Sequence, residues 1–298
     1  MGEMKKWKNM AKTILESFRE LKTNLEITEL QQSTVSTRQQ NVRKAVEQGM
    51  NVLDSFLTGS YSRHTIIAPL KEADIDIFIV LNSSYYYDLD GPASLLDKVK
   101  RVLKKTYPDT PDISRNGQAV TIQFTDFMVD VVPGFNRKSV GYLIPNSITK
   151  EWISTDPKKH VEIMANANSV HDGDLVPLIK MIKGWNKNIN SYFHSFHLEV
   201  LALQILDNVK ISNFPSGMRY YFDKGRDLIS KKNPDPAGYG GDVGSYINTQ
   251  EKIQEAVAKF QLAYERAIKA EDYERRGYIE EAIEMWRKIF GSYFPAYG

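Results

Sequence analysis

Cysteine is absent from all 298 residues, which excludes disulfides, thiolate nucleophiles and thiolate metal sites. Charge bias is nearly absent too: 39 Lys and Arg stand against 37 Asp and Glu, a formal net charge of +2. That balance argues against a protein that wraps nucleic acid, while leaving room for a local basic patch. No apolar run is long enough to span a bilayer. The first segment also lacks the apolar core of a signal peptide, because Lys5, Lys6, Lys8 and Lys12 interrupt it. The expectation is a cytoplasmic protein with no membrane partner. No G-x-x-x-x-G-K-[ST] occurs, so a P-loop is excluded, and the glycines of 238–244 do not fit G-x-G-x-x-G. What is present is 42% hydrophobic and 26% charged residues, ordinary for a globular chain long enough for one large domain or two lobes.

Apolar residues from Trp7 to Leu21 recur at helical spacing, so residues 7 to about 25 read as an amphipathic helix that packs on the protein's own core. Ser36 and Thr37 are candidate caps for a second helix, with Val42, Ala45, Val46, Met50, Leu53 and Phe56 on one face and a stop by Gly59. Residues 74–81 are short, β-branched and almost wholly apolar after two Asp, which favours a strand. A Tyr-rich loop over 83–91 follows, then a helix from Pro92 to about Lys105. Strands at 120–124 and 127–132 form a hairpin through Thr125-Asp126, with Pro133-Gly134 closing the second. Beyond residue 155 the pattern turns helical, over 157–167, 175–188, 197–208, 218–229 and 249–290, with 234–241 as a linker. The last stretch has the texture of a single tetratricopeptide-type helix pair, which cannot make a repeat array alone. The expected architecture is α+β, with a mixed-sheet domain over 1–155 including the N-terminal helices, and a helical substrate-binding domain over 156–298.

D-x-D occurs three times, at Asp74/Asp76, Asp88/Asp90 and Asp172/Asp174. The second and third sit among turn residues, where solvated carboxylates are ordinary. Only Asp74 and Asp76 fall on a strand, where alternate residues point the same way, about 6–7 Å apart. Asp74, Asp76 and Phe78 therefore share one face, and Ile75, Ile77 and Ile79 the other. Two parallel carboxylates at a strand end are costly unless paired or metal-bound. Asp130 occupies a similar place in the run 127–132. If the two strands are neighbours, three Asp converge and can hold two Mg²⁺, or Mn²⁺ in their place. Gly59-Ser60, thirteen residues upstream of the carboxylate strand and expected at the end of a helix, offers a close backbone approach and a hydroxyl to phosphate oxygens.

GSYSRHT, ADIDIFIVL and FMVDVVPGF together resemble the polymerase-β-like nucleotidyltransferase superfamily, with its GS, D-x-D and third Asp. The stretches Leu178-Ile-Lys-Met-Ile-Lys-Gly-Trp-Asn-Lys and Ser195-Phe-His-Leu-Glu-Val-Leu-Ala-Leu are similar to the second lobe of the CD-NTases, the cGAS/DncV-like enzymes related to 2′-5′-oligoadenylate synthase. The likeness covers roughly 40–290. It implies a bilobal fold, with a nucleotidyltransferase core, a C-terminal helical lobe and an active site in the cleft between them. It also implies that Lys183 and Lys180 reach the triphosphate, that Ser195 bonds a phosphate, and that Phe196 stacks on a base where relatives often carry Tyr. Ser154 is a further candidate for reading a base edge.

The implied reaction is magnesium-dependent, with Asp74, Asp76 and Asp130 as metal ligands and catalytic groups. Nucleoside triphosphates are joined into a cyclic di- or trinucleotide second messenger, pyrophosphate leaves, and the product acts on an effector in bacterial antiphage signalling. A monomer that needs no nucleic acid is expected. One alternative is an RNA-terminal or protein-modifying nucleotidyltransferase, which the basic cluster Lys98, Lys100, Arg101, Lys104 and Lys105 would suit. The other is an inactive nucleotide-binding scaffold, against which the intact carboxylate set stands.

Overall fold

The computed structural model describes residues 13–110 and 112–298; Trp7 and Met10, at the start of the first expected helix, lie outside the described residues. Two units are resolved: a sheet unit of 27–165 with 236–240, and a helical unit made of the described residues up to Glu26, 166–235 and 241–298. Grouped this way, the first helix α1 (Ile14–Asn24) belongs with the helical residues, and the division falls inside α6 (Pro157–Val170).

In the sheet unit the seven strands among the described residues are β1 (Val52–Thr58), β2 (Asp74–Leu81), β3 (Ile113–Asn116), β4 (Ala119–Gln123), β5 (Met128–Asn136), β6 (Tyr142–Asn146) and β7 (Glu151–Thr155). The order is β1-β2-β5-β4-β3, with the β6–β7 hairpin joined to the end of β5. β2 and β5 are parallel and adjacent, while the other pairs are antiparallel. A parallel pair needs a long crossover. Here it runs through α4 (Ser84–Asp88), α5 (Gly91–Thr106) and the β3–β4 hairpin. Ile75, Ile77, Ile79, Val129 and Val131 form one core with Val35, Val42 and Val46 of α2 (Glu29–Gly49) and Leu95, Leu96, Val99 and Leu103 of α5. The opposite face carries a smaller cluster of Phe78, Val80, Tyr142 and Ile144. Alternation along β2 thus separates the isoleucines from the side that bears Asp74 and Asp76.

Several expected boundaries move. α2 begins at Glu29 under a capping box, in which Thr28 Oγ accepts the Gln31 N–H and the Gln31 side chain accepts the Thr28 N–H. Two reciprocal bonds cap the helix at Thr28, and Ser36 and Thr37, the expected caps, lie inside it, seven and eight residues past Glu29. Leu53 and Phe56 are not on that helix: it ends at Gly49 and they lie on β1, so Gly59 follows a strand. The Tyr-rich loop contains the short α4. β5 runs through Pro133 to Asn136 instead of closing there. Its pairing with β4 has ended by Val131 and that with β6 starts at Phe135, so Pro133 sits where a missing N–H costs least. The hairpin through Thr125-Asp126 is present in the register that pairs Gln123 with Met128. Strands β3, β6 and β7 were not anticipated.

The helical unit contains α7 (Leu175–Asn188), α8 (Ser195–Ile205), α9 (Phe214–Leu228), α10 (Gln250–Arg275) and α11 (Ile279–Phe290), near the expected spans. Residues 249–290 divide at Gly277, whose φ of +83° suits glycine. The expected linker is a closed loop: Asp235 N–H donates to Gly241 O at 3.0 Å, Val243 N–H to Asn233 O at 2.8 Å, and Asn233 and Asp235 are buried. No described helix is long and apolar enough to cross a membrane.

Candidate active site

The β2–β5 register sets Asp76 beside Asp130, so two adjacent parallel strands present carboxylates side by side. Asp74, two residues earlier on the same face, completes the group, and one oxygen from each of Asp74, Asp76 and Asp130 lies within 4.8 Å of the others. It is the one such group of three or more His, Cys, Asp or Glu among the described residues. Asp88 ends α4 and Asp90 precedes α5; Asp172, at φ +53°, and Asp174 flank the Gly173 turn before α7. Neither pair acquires a third ligand.

Asp130 is half-buried, and across the antiparallel partner strand the Thr121 Oγ1–H donates to its Oδ1 at 2.5 Å. Burial pushes the Asp130 carboxyl above its ordinary value. The Thr121 bond opposes that rise and the neighbouring Asp74 charge adds to it. Thr121 was not singled out from the sequence, although the expected hairpin register already set it opposite Asp130.

On the other side of Asp76, β1 delivers Thr58 into register with it, and the chain turns at Gly59 with φ +64° into α3 (Gly59–Ser62). A Cβ on Gly59 would stand 1.7 Å from Asp76 Oδ2 and 2.5 Å from its Cγ. Glycine is therefore required twice over, by the left-handed backbone and by the carboxylate that occupies the space of a side chain. Ser60 follows, half-exposed, and its carbonyl accepts the N–H of Thr65 at 2.8 Å and of Ile66 at 3.2 Å. Thr65, fully buried, is thereby part of what holds the turn. On the far side of β5, the Arg38 Nη2–H of α2 donates to Asp126 at 2.8 Å and anchors the loop that feeds β5.

These residues fit a divalent cation. The donors are three hard carboxylate oxygens within reach of one another, the ligand type that Mg²⁺ and similar ions prefer.

Other expected site residues are placed as follows. In α7, Lys180 Nζ is 2.6 Å from Glu26 Oε2, and Lys183 Nζ is 2.8 Å from Glu199 Oε1. Lys183 and Glu199 are both buried, so neither lysine stands on a solvated helix face. Ser195, exposed, is the first residue of α8, and Phe196 beside it is half-buried. Ser154 on β7 pairs with Leu143 of β6, which pairs in turn with Phe135, five residues along β5 from Asp130.

Residues 13–168 match the family described as the Second Messenger Oligonucleotide or Dinucleotide Synthetase (SMODS) domain. A probable cyclic nucleotide synthase of Bacillus cereus (strain VD146) is 28% identical over 273 residues, covering 80% of this chain and 81% of its own. The cyclic AMP-AMP-AMP synthase of an Acinetobacter species is 28% identical over 258 residues, covering 81% of this chain and 72% of its own. In fold, the chain is similar to CdnC of Escherichia coli MS115-1, solved with ATP, with a TM-score of 0.73 at 17% identity over 95% of this chain and 99% of that one. With its sheet, its helical part and its carboxylate triad in place, the chain belongs to the second messenger oligonucleotide or dinucleotide synthetase family, the CD-NTases of the polymerase-β-like superfamily, and is a metal-dependent nucleotidyltransferase that makes cyclic oligonucleotides.

Proposed function

We propose that this enzyme joins nucleoside triphosphates into a cyclic di- or trinucleotide, with two magnesium ions held by Asp74, Asp76 and Asp130. The observation that carries the assignment is the convergence of those three carboxylates beside the Gly59 turn. When bound there, magnesium neutralises charge on the reacting phosphate and lowers the pKa of the attacking hydroxyl, and manganese can take its place.

The chain's own groups do the rest. A ribose hydroxyl oxygen attacks the α-phosphorus in line; its P–O bond forms as the bond to the β-phosphate oxygen breaks, and pyrophosphate leaves. Asp130 receives the hydroxyl proton at Oδ2, since its Oδ1 is occupied by Thr121. Burial, which raises its proton affinity, suits it to that task. Gly59 lets the turn approach the triphosphate, and the Ser60 hydroxyl donates to one of its oxygens. Each further linkage repeats the step with loss of another pyrophosphate, and a last round, with the linear product turned over, closes the ring. Positioning and charge neutralisation supply most of the acceleration.

For the substrate we assign Lys180 and Lys183 to phosphate, Ser195 to a phosphate oxygen, Phe196 to a base face and Ser154 to a base edge. The exposure of Ser195 at the start of α8, with Phe196 next to it, supports those two assignments. The two lysines would have to exchange a carboxylate partner for phosphate, or share it. We further propose a monomer acting in the cytoplasm, where its triphosphate substrates are, whose product activates an effector in antiphage defence. The test is incubation of purified protein with Mg²⁺ and labelled triphosphates without RNA. Short, phosphatase-resistant products are expected. Products formed only on added RNA would indicate a terminal transferase, and no incorporation at all an inactive scaffold.

A further inference from the structure

The sheet unit carries a cavity of about 390 Å³ at the opposite end of the parallel strands from the carboxylates. It opens at the C-terminal ends of β2 and β5. Phe135 in its wall is five residues beyond Asp130, about 16 Å at the rise of a strand. Its volume falls in the range of small-molecule sites, about 300–1,000 Å³.

One wall is aromatic and already fixed. The Tyr86 ring meets Phe135 edge-on at 5.7 Å and Trp152 at 5.2 Å, and Phe135 meets Trp152 at 5.4 Å. Phe135 is buried, so this wall is held by the core and not by the rim. Tyr87 continues it outward, edge-on to Tyr86 at 5.2 Å, yet 79% exposed. The Tyr87 ring thus offers a face to a second flat ring, the offset or edgewise contact that aromatic pairs favour.

The rest of the lining has one sign of charge. Arg137 and Lys138 line the cavity and no Asp or Glu does. Neither cation is in an ion pair with a described carboxylate. The Arg137 guanidinium is tethered instead, with Nη1–H donating to Val140 O at 3.2 Å and its carbon 5.0 Å from the centre of the Tyr239 ring. Its charge is held in place, while Lys138 is exposed, a point charge on a long flexible stem. Flat apolar walls with two uncompensated cations select a flat, negatively charged molecule over a neutral or cationic one.

We propose that this cavity is a binding site for a small aromatic anion of about mononucleotide size, separate from the carboxylate site. One ring lies against Tyr86 and Tyr87, and the anionic group faces Lys138 and Arg137. The assignment does not depend on which nucleotide the carboxylate site joins.

The test is calorimetric titration of the full chain with three probes: adenosine 5′-monophosphate, 2-naphthoate and neutral adenosine. Lys138→Glu and Tyr87→Ala alter exposed side chains and should leave fold and nucleotidyl transfer intact. At least one anionic probe should bind, should lose tenfold or more in affinity in Lys138→Glu and several-fold in Tyr87→Ala, and should be unaffected by Asp74→Asn with Asp76→Asn. Binding of both anions supports an aromatic anion of either kind, and binding of the monophosphate alone supports a nucleotide. No binding of either anion, equal binding of adenosine, or affinity unchanged in Lys138→Glu overturns the proposal.

Discussion

Replacing Gly59 by alanine puts the site geometry under its most exacting strain. The added Cβ would stand 1.7 Å from Asp76 Oδ2, whereas ordinary contact begins near 3.4 Å, so either the carboxylate or the turn must move by about 1.7 Å. A swing of the carboxylate tip alone does not relieve this, because Asp76 Cγ and Cβ would be at 2.5 and 3.0 Å and the Cβ is fixed to the strand. Misplacement of a catalytic group by about 1 Å costs on the order of 100-fold in rate. Gly59→Ala should therefore lose at least that, about 3 kcal/mol of transition-state stabilisation. Alanine at φ +64° also strains the turn, at about 1–2 kcal/mol. That corresponds to a drop in Tm of about 2–8 °C at about 2–4 °C per kcal/mol. The assay is pyrophosphate release under saturating Mg²⁺, with folding followed by circular dichroism. A folded Gly59→Ala enzyme with wild-type turnover would refute the account of the turn.

Three further outcomes follow from the same structure. Thr121→Val removes a hydrogen bond to a charged group, worth about 1.5–3 kcal/mol, and should lower kcat/KM about 10- to 100-fold with a higher half-saturating Mg²⁺. Thr121→Ser, which keeps the hydroxyl, should stay within a few-fold. Because the folded Asp130 carboxyl is raised above its unfolded value, its protonated form is favoured in the fold, and that stability is lost as pH rises through the folded pKa. Metal-free Asp130→Asn should accordingly melt at a higher temperature than wild type at pH 7 while being inactive, as differential scanning calorimetry and the incorporation assay would show. In the helical unit His197 is fully buried, and burial lowers its pKa from 6.5 to about 4. It stays neutral in the fold where the unfolded chain takes a proton, so stability falls as pH drops from about 6.5 towards 4, by about 3 kcal/mol in all. His197→Phe should flatten urea-denaturation stability across that window.

The Asp74/Asp76 pair was legible from the sequence because a strand's period of two is rigid. Once 74–81 and 127–132 read as strands, the shared face of Asp74 and Asp76 followed; convergence on Asp130 hung on the two strands being neighbours, which the parallel β2–β5 pairing supplies. Even Thr121 was implicit: a turn at Thr125-Asp126 pairs 123 with 128 and hence 121 with 130, as observed. What failed was local. The run Met50 to Phe56 satisfies a helical face and a strand alike; the capping box at Thr28 fixes where α2 begins, and Met50, extended after Gly49, is where it ends. The 234–241 stretch has the composition of a linker, but its backbone bonds to 233, 235, 241 and 243 close it into a loop. The partners of Lys180 and Lys183 were out of reach for another reason. Glu26 is 154 residues from Lys180 in the chain, and helical periodicity shows which face is buried but not which carboxylate meets it.

The most direct measurement is transfer of label from α-³²P nucleoside triphosphates into a phosphatase-resistant product by wild type and by the Asp74→Asn, Asp76→Asn double variant, side by side with Mg²⁺. Wild type should form product, and the double variant, folded by circular dichroism, should show none above background. Product from the folded double variant at the wild-type rate would mean that the carboxylates of β2 are not where the chemistry happens.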